Sequence, residues 1–173
     1  MAIRDQDKHY NVCRCPRHAI SNVRAPVRTV NKVDKPLKRD FIAKRAEFDA
    51  IRRYVENACA GIGAAVRQRV ILIVEELFCN TIEHGYGGDC EHFVSLTVSV
   101  DAHACHLIYE DCAPPHDPFT AIADVLPADT SADQRRVGGL GIFLLAQFSS
   151  NHRYERRGNR NVIELQVPCA GNA

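Results

Sequence analysis

No stretch of the sequence reaches the ~18 consecutive apolar residues that suggest a membrane span, and its first residues carry no apolar core of a secretion signal. A cytoplasmic protein without a membrane is therefore expected. C-x-x-C is also missing. Of eight cysteines, Cys59, Cys79, Cys90, Cys105, Cys112 and Cys169 stand singly, so neither a disulfide framework nor a zinc site is supported. Reduced, mostly buried thiols are the expectation. Only His9, Cys13, Cys15 and His18 cluster, and this C-x-C between two histidines meets no standard zinc spacing. Neither G-x-x-x-x-G-K-[ST] nor G-x-G-x-x-G occurs, so a P-loop or a dinucleotide fold does not follow. Strong net charge is lacking as well, although the balance of +1 hides an asymmetry. Residues 1–40 hold 10 Lys/Arg against 4 Asp/Glu, net +6, and residues 41–173 hold 12 against 17, net −5. A mildly acidic folded part argues against nucleic acid as a direct ligand.

What is present suffices for one domain. The chain has 173 residues, 46% of them hydrophobic, enough for a proper core. Residues 1–35 combine Pro16, Pro26 and many basic residues with no sustained period, which predicts a mobile basic tail. The folded domain is expected over residues 36–168, with a short tail at 169–173. A short strand is expected over Leu37–Ala43. From about Lys44, Phe48, Ile51, Val55 and Ala58 keep helical spacing until Gly61 and Gly63. A second helix is expected from Ala64 to His84, with Gly85 supplying its left-handed exit. The period then changes to two in Val94, Leu96, Val98 and Val100, and Ala104–Glu110 returns as the partner strand of a hairpin. A second hairpin closes the chain, His152–Arg157 and Val162–Val167 around Gly158-Asn159.

Three stretches carry candidate chemistry. In the second helix, Glu76, Asn80 and His84 share one sector at about 100° per residue. They are either a solvated stripe or polar groups of a largely buried helix, which then require partners. Asp111 ends a strand and enters Cys112-Ala113-Pro114-Pro115-His116-Asp117-Pro118, where it is a turn aspartate or a carboxylate that reads a ligand. Gly138-Gly139-Leu140-Gly141 opens into Ile142–Phe148, a glycine loop at a helix start that either cradles an anion or only turns tightly.

E-x-x-x-N-x-x-x-H-G-Y at 76–86, D-x-A-x-P-H-D-P at 111–118 and G-G-L-G-I at 138–142 occur in an order and spacing that resembles the histidine-kinase-like ATPase domain, the Bergerat fold. The likeness runs from about residue 40 to 168, roughly three-quarters of the chain. With GGLGIFLL and ERRGNRNVIEL it is most similar to the anti-sigma-factor serine/threonine kinases of bacterial partner switching. That resemblance implies an α/β fold, a two-layer sandwich of a mixed, mainly antiparallel sheet covered on one face by helices. It implies ATP and Mg²⁺ as cofactors, with Asn80 as the magnesium ligand. Glu76 takes the place of the presumed base for the attacking hydroxyl, and Asp111 that of the acceptor for the adenine amino group. His84, Gly139, Leu140 and Gly141 fall among the nucleotide contacts, and residues 119–137 form a short lid in which Arg135 and Arg136 lie near the γ-phosphate.

The implied activity is transfer of the γ-phosphate of ATP to a serine or threonine of an antagonist protein, by a kinase that also sequesters a sigma factor. The implied partners are a sigma factor and an anti-anti-sigma protein, with a homodimer possible. A non-catalytic binding module of the same fold is the alternative. Three positions depart from the family pattern. Ala113 stands at the first glycine of D-x-G-x-G, His116 replaces a phenylalanine, and Asn161 falls near a threonine that supports the adenine aspartate. All three concern the adenine end and leave the phosphate end intact.

Overall fold

A computed structural model describes residues 37–120 and 140–169. The basic tail, the His9–His18 cluster, nearly all of the expected lid, Arg135, Arg136 and Gly139 lie outside the described residues. Strand β1 spans Leu37–Ile42. A short 3-10 turn, Arg45–Glu47, leads into helix α1, Phe48–Ala58. Helix α2 follows over Ala64–Asn80, and strands β2, Phe93–Val100, and β3, Ala104–Asp111, form the first hairpin. Helix α3, Leu140–Phe148, precedes the second hairpin, β4, Ser150–Arg157, and β5, Arg160–Pro168.

The strands make one sheet in the order β1-β2-β3-β5-β4. The sheet, expected to be mixed and mainly antiparallel, is antiparallel at every neighbouring pair among the described residues. The reason is topological: β2–β3 and β4–β5 are hairpins, and β5 joins β3 with the opposite sense, so no parallel crossover is needed. Alternation fixes which face is buried. Leu96, Leu107, Tyr109 and Leu165 point to the helical layer and are at most 2% exposed. Against them pack Ile51 and Val55 of α1, Ile73, Val74 and Phe78 of α2 and Leu145 of α3. Helix α2 is the central one: it lies against α1, α3, β3 and β5.

The end of α2 differs from the sequence expectation. The regular helix stops at Asn80, and Thr81–Gly85 form a widened π turn in which the Tyr86 amide donates to Thr81 O at 2.8 Å. A turn with one extra residue breaks the 100° step. Thr81 and Ile82 therefore stay buried while Glu83 and His84 become exposed. The left-handed exit falls two residues later than expected, at Gly87 with φ 75° and Gly88 with φ 142°.

Among the described residues, six cysteines are free thiols. Only Cys59 and Cys105 are buried, with their sulfurs 3.7 Å apart; the other four are half-buried, so the expectation of mostly buried thiols holds for two of the six.

Candidate functional site

Two polar clusters lie at the C-terminal end of α2, and consecutive residues of the chain, Asn80 and Thr81, belong one to each. In the first, the Asn80 amide nitrogen donates to Glu76 Oε1 at 2.9 Å, a bond one helical turn makes available. Both residues are half-buried. The Glu76 carboxylate also lies against the first turn of α3: a Cβ built on Gly141 would come within 1.7 Å of Glu76 Cδ and 1.9 Å of its Oε1. Residue 141 is thus a place where only glycine leaves room for the carboxylate as it stands. The Asn80 oxygen takes no part in the bond to Glu76. A neutral amide oxygen suits a hard cation such as Mg²⁺, which keeps several of its waters and takes one or two protein ligands. Among the described residues no group of three or more His, Cys, Asp and Glu side chains could hold a metal ion.

The second cluster surrounds Asp111, which is 4% exposed. Its Oδ1 accepts from the Ala113 amide at 2.8 Å and from Asn161 Nδ2 at 2.7 Å. Among the described residues Oδ2 accepts only from Thr81 Oγ1, at a long 3.4 Å, and so retains acceptor capacity toward them. Behind Thr81 stands the buried Tyr109 hydroxyl, 2.9 Å from Thr81 Oγ1 and 3.3 Å from Leu77 O. Burial raises the Asp111 pKa above the ordinary carboxylate value, opposed by Asn161, the Ala113 amide, Thr81 and the Arg156 charge.

Asn161 is the hub of this cluster. Its amide nitrogen also reaches Ala113 O and Pro114 O, both at 3.2 Å. Its oxygen accepts from Tyr154 OH at 2.9 Å and Arg156 Nη1 at 2.8 Å. Arg156 Nη1 lies 2.8 Å from Ala113 O as well. Register explains the convergence: Asn161 is opposite Asp111 on β3 and opposite Arg156 on β4. Residue 161, which departs from the family pattern, thus holds the aspartate directly.

The fold brings Glu76, Asn80 and Gly141 together, and Asp111 next to them through Thr81. His84 is exposed on the π turn, Leu140 opens α3, and Gly139 lies outside the described residues. Sequence reasoning did not single out Thr81, Tyr109, Tyr154 or Arg156. Arg156 was within reach, because a tight turn at Gly158-Asn159 sets it across from Asn161. The others depend on how α2 lies on the sheet.

A two-layer α/β domain results, with an amide and a carboxylate one helical turn apart at one end of its central helix and a buried aspartate at the adjoining strand end. A family model described as "Histidine kinase-like ATPase domain" matches residues 41–167, and the chain belongs to that family. No curated protein matches. Among solved structures, the Acinetobacter baumannii histidine kinase AdeS is similar at 14% identity and a TM-score of 0.40, over 79% of this chain and 70% of that one. No helix among the described residues is long and apolar enough to cross a membrane.

Proposed function

We propose that the protein is an ATP- and Mg²⁺-dependent serine/threonine protein kinase of the partner-switching type, which sequesters a sigma factor and phosphorylates its antagonist. The observation that carries this reading is the Glu76–Asn80 pair, hydrogen-bonded at 2.9 Å and facing Gly141 at the start of α3. A carboxylate and an amide stand side by side against the first turn of a helix, an arrangement suited to a proton acceptor and a cation ligand for phosphoryl transfer to a hydroxyl.

Each residue has a distinct task. Asp111 accepts a hydrogen bond from the adenine amino group through Oδ2, the oxygen with capacity left. Asn161 and the Ala113 amide fix its other oxygen. Asn80 turns its amide oxygen to Mg²⁺, which when bound neutralises phosphate charge. Glu76 takes the proton of the attacking hydroxyl. The membership in the histidine kinase-like ATPase family supports nucleotide use; the choice of a protein hydroxyl as acceptor rests on Glu76 and on the motif resemblance.

The test begins with capture of partners by the full-length protein with and without Mg·ATP. The captured antagonist is then incubated with γ-labelled ATP and the kinase. Label on a serine or threonine of the antagonist, dependent on Glu76, is the expected result. A wild-type protein that binds the antagonist and never labels it at saturating Mg·ATP would make the chain a binding module.

A further inference from the structure

The π turn and the loop after Asp111 meet at Gly85 and Ala113. A Cβ built on Gly85 would lie 2.7 Å from the Ala113 Cβ and 3.8 Å from Thr81 Cγ2. Non-bonded carbons rest at about 3.5–4.0 Å. Glycine is needed at 85 for space and not for backbone conformation, since the glycines with positive φ are Gly87, Gly88 and Gly158.

Both sides are held by hydrogen bonds that a displacement must strain. The Ala113 amide donates to Asp111 Oδ1 at 2.8 Å, and its carbonyl accepts from Arg156 Nη1 at 2.8 Å and Asn161 Nδ2 at 3.2 Å. One residue earlier, the Cys112 amide donates to Tyr86 OH at 2.9 Å, and the Tyr86 ring stacks on His92 with centroids 4.8 Å apart. The turn is tied down by Tyr86 N to Thr81 O and Gly88 N to Ile82 O, both 2.8 Å. Ala113 itself is 4% exposed.

We propose that Gly85 and Ala113 are a complementary positioning pair: the methyl at 113 fills the notch left by the missing side chain at 85. This fit sets where Asp111 stands relative to Thr81, and with it the affinity for the purine end of the nucleotide. The inference rests on the reading of Asp111 as the residue that accepts from the base. It makes the alanine at 113 dependent on the glycine at 85. A methyl added at 85 would drive turn and loop apart by about 1 Å. The Thr81–Asp111 bond, already 3.4 Å, would open and the carboxylate would move with its loop.

The experiment is a double-mutant cycle in the full chain with Gly85→Ala, Ala113→Gly and both together. Affinities for Mg·ATP and for Mg·tripolyphosphate, which has no base, are measured alongside thermal unfolding. Gly85→Ala is expected to weaken Mg·ATP by about 10–100-fold, the scale of losing a hydrogen bond to a charged group. Tripolyphosphate should be little affected, whereas a general loss of structure would weaken both ligands together. In the Ala113→Gly background the same change at 85 should cost at most about threefold, because the clash is gone.

A Gly85→Ala protein that binds Mg·ATP like wild type overturns the proposal, as does an equal loss in both backgrounds or a parallel loss of both ligands. A wild type that does not bind Mg·ATP overturns the nucleotide reading instead. The unfolding cycle then still decides the pair: a loss confined to the Ala113 background supports it, and equal losses overturn it.

Discussion

Asp111→Asn isolates the carboxylate on which the adenine end of the site depends. In the native protein Oδ1 receives Asn161 Nδ2 at 2.7 Å and the Ala113 amide at 2.8 Å. Both partners are donors, so the new amide must put its oxygen there. Its NH2 then takes the place of Oδ2, beside Thr81 Oγ1 at 3.4 Å, and a donor faces the ligand where an acceptor stood. Hydrogen bonds to charged groups contribute about 1.5–3 kcal/mol, so Mg·ATP affinity should fall by about 10–150-fold. Mg·ITP, whose 6-oxo group accepts, should lose much less. Calorimetric titration of both nucleotides measures the difference. Unchanged ATP affinity, or equal losses for ATP and ITP, would refute the assignment.

The same variant tests the electrostatics of the unliganded protein. Burial raises the folded-state pKa of Asp111 above its unfolded value. Such a group contributes stability that is fully present below the unfolded pKa of about 3.9 and lost as pH rises through the folded one. Asp111→Asn should therefore gain on wild type as pH rises from about 4 towards 7. Urea midpoints for both proteins across that window give the sign, and a gain in the opposite direction would show that the hydrogen bonds outweigh burial.

Other substitutions separate the remaining roles. Glu76→Gln keeps the shape of the side chain but cannot take a proton, so phosphoryl transfer should fall by about 10²–10⁴-fold while Mg·ATP affinity barely moves. Asn80→Ala should lose both together, and adding EDTA to wild type should reproduce its binding defect, as calorimetry would reveal. Gly141→Ala puts a methyl where the Glu76 carboxylate lies, 1.7 Å from Cδ. The flexible Glu76 side chain must swing aside, so a transfer assay should show the loss while circular dichroism shows an intact fold. Phe78→Ala empties a position that is 1% exposed under the sheet and should cost about 3–5 kcal/mol in urea unfolding.

The sequence by itself determined the elements and the chemical inventory. Alternation in Val94–Val100 and helical spacing in Phe48–Ala58 depend only on neighbours in the chain, and both elements formed where the periods lie. Glu76 and Asn80 could be paired in advance because one helical turn separates them. Tertiary structure decided the rest. The π turn at Thr81–Gly85 carried His84 off the expected sector, a departure no 100° projection contains. Arg156 and Asn161 became partners of the aspartate loop, and Tyr154 a partner of Asn161, through the register of three strands, with Asn161 opposite Asp111 across 50 residues of sequence. The fit of Ala113 against Gly85 exists only because α2 and the β3 loop are brought into van der Waals contact. Local patterns report which face of an element is apolar. Which two faces meet, and at what offset, is set by the packing of the whole core, and that offset is where the polar site is made.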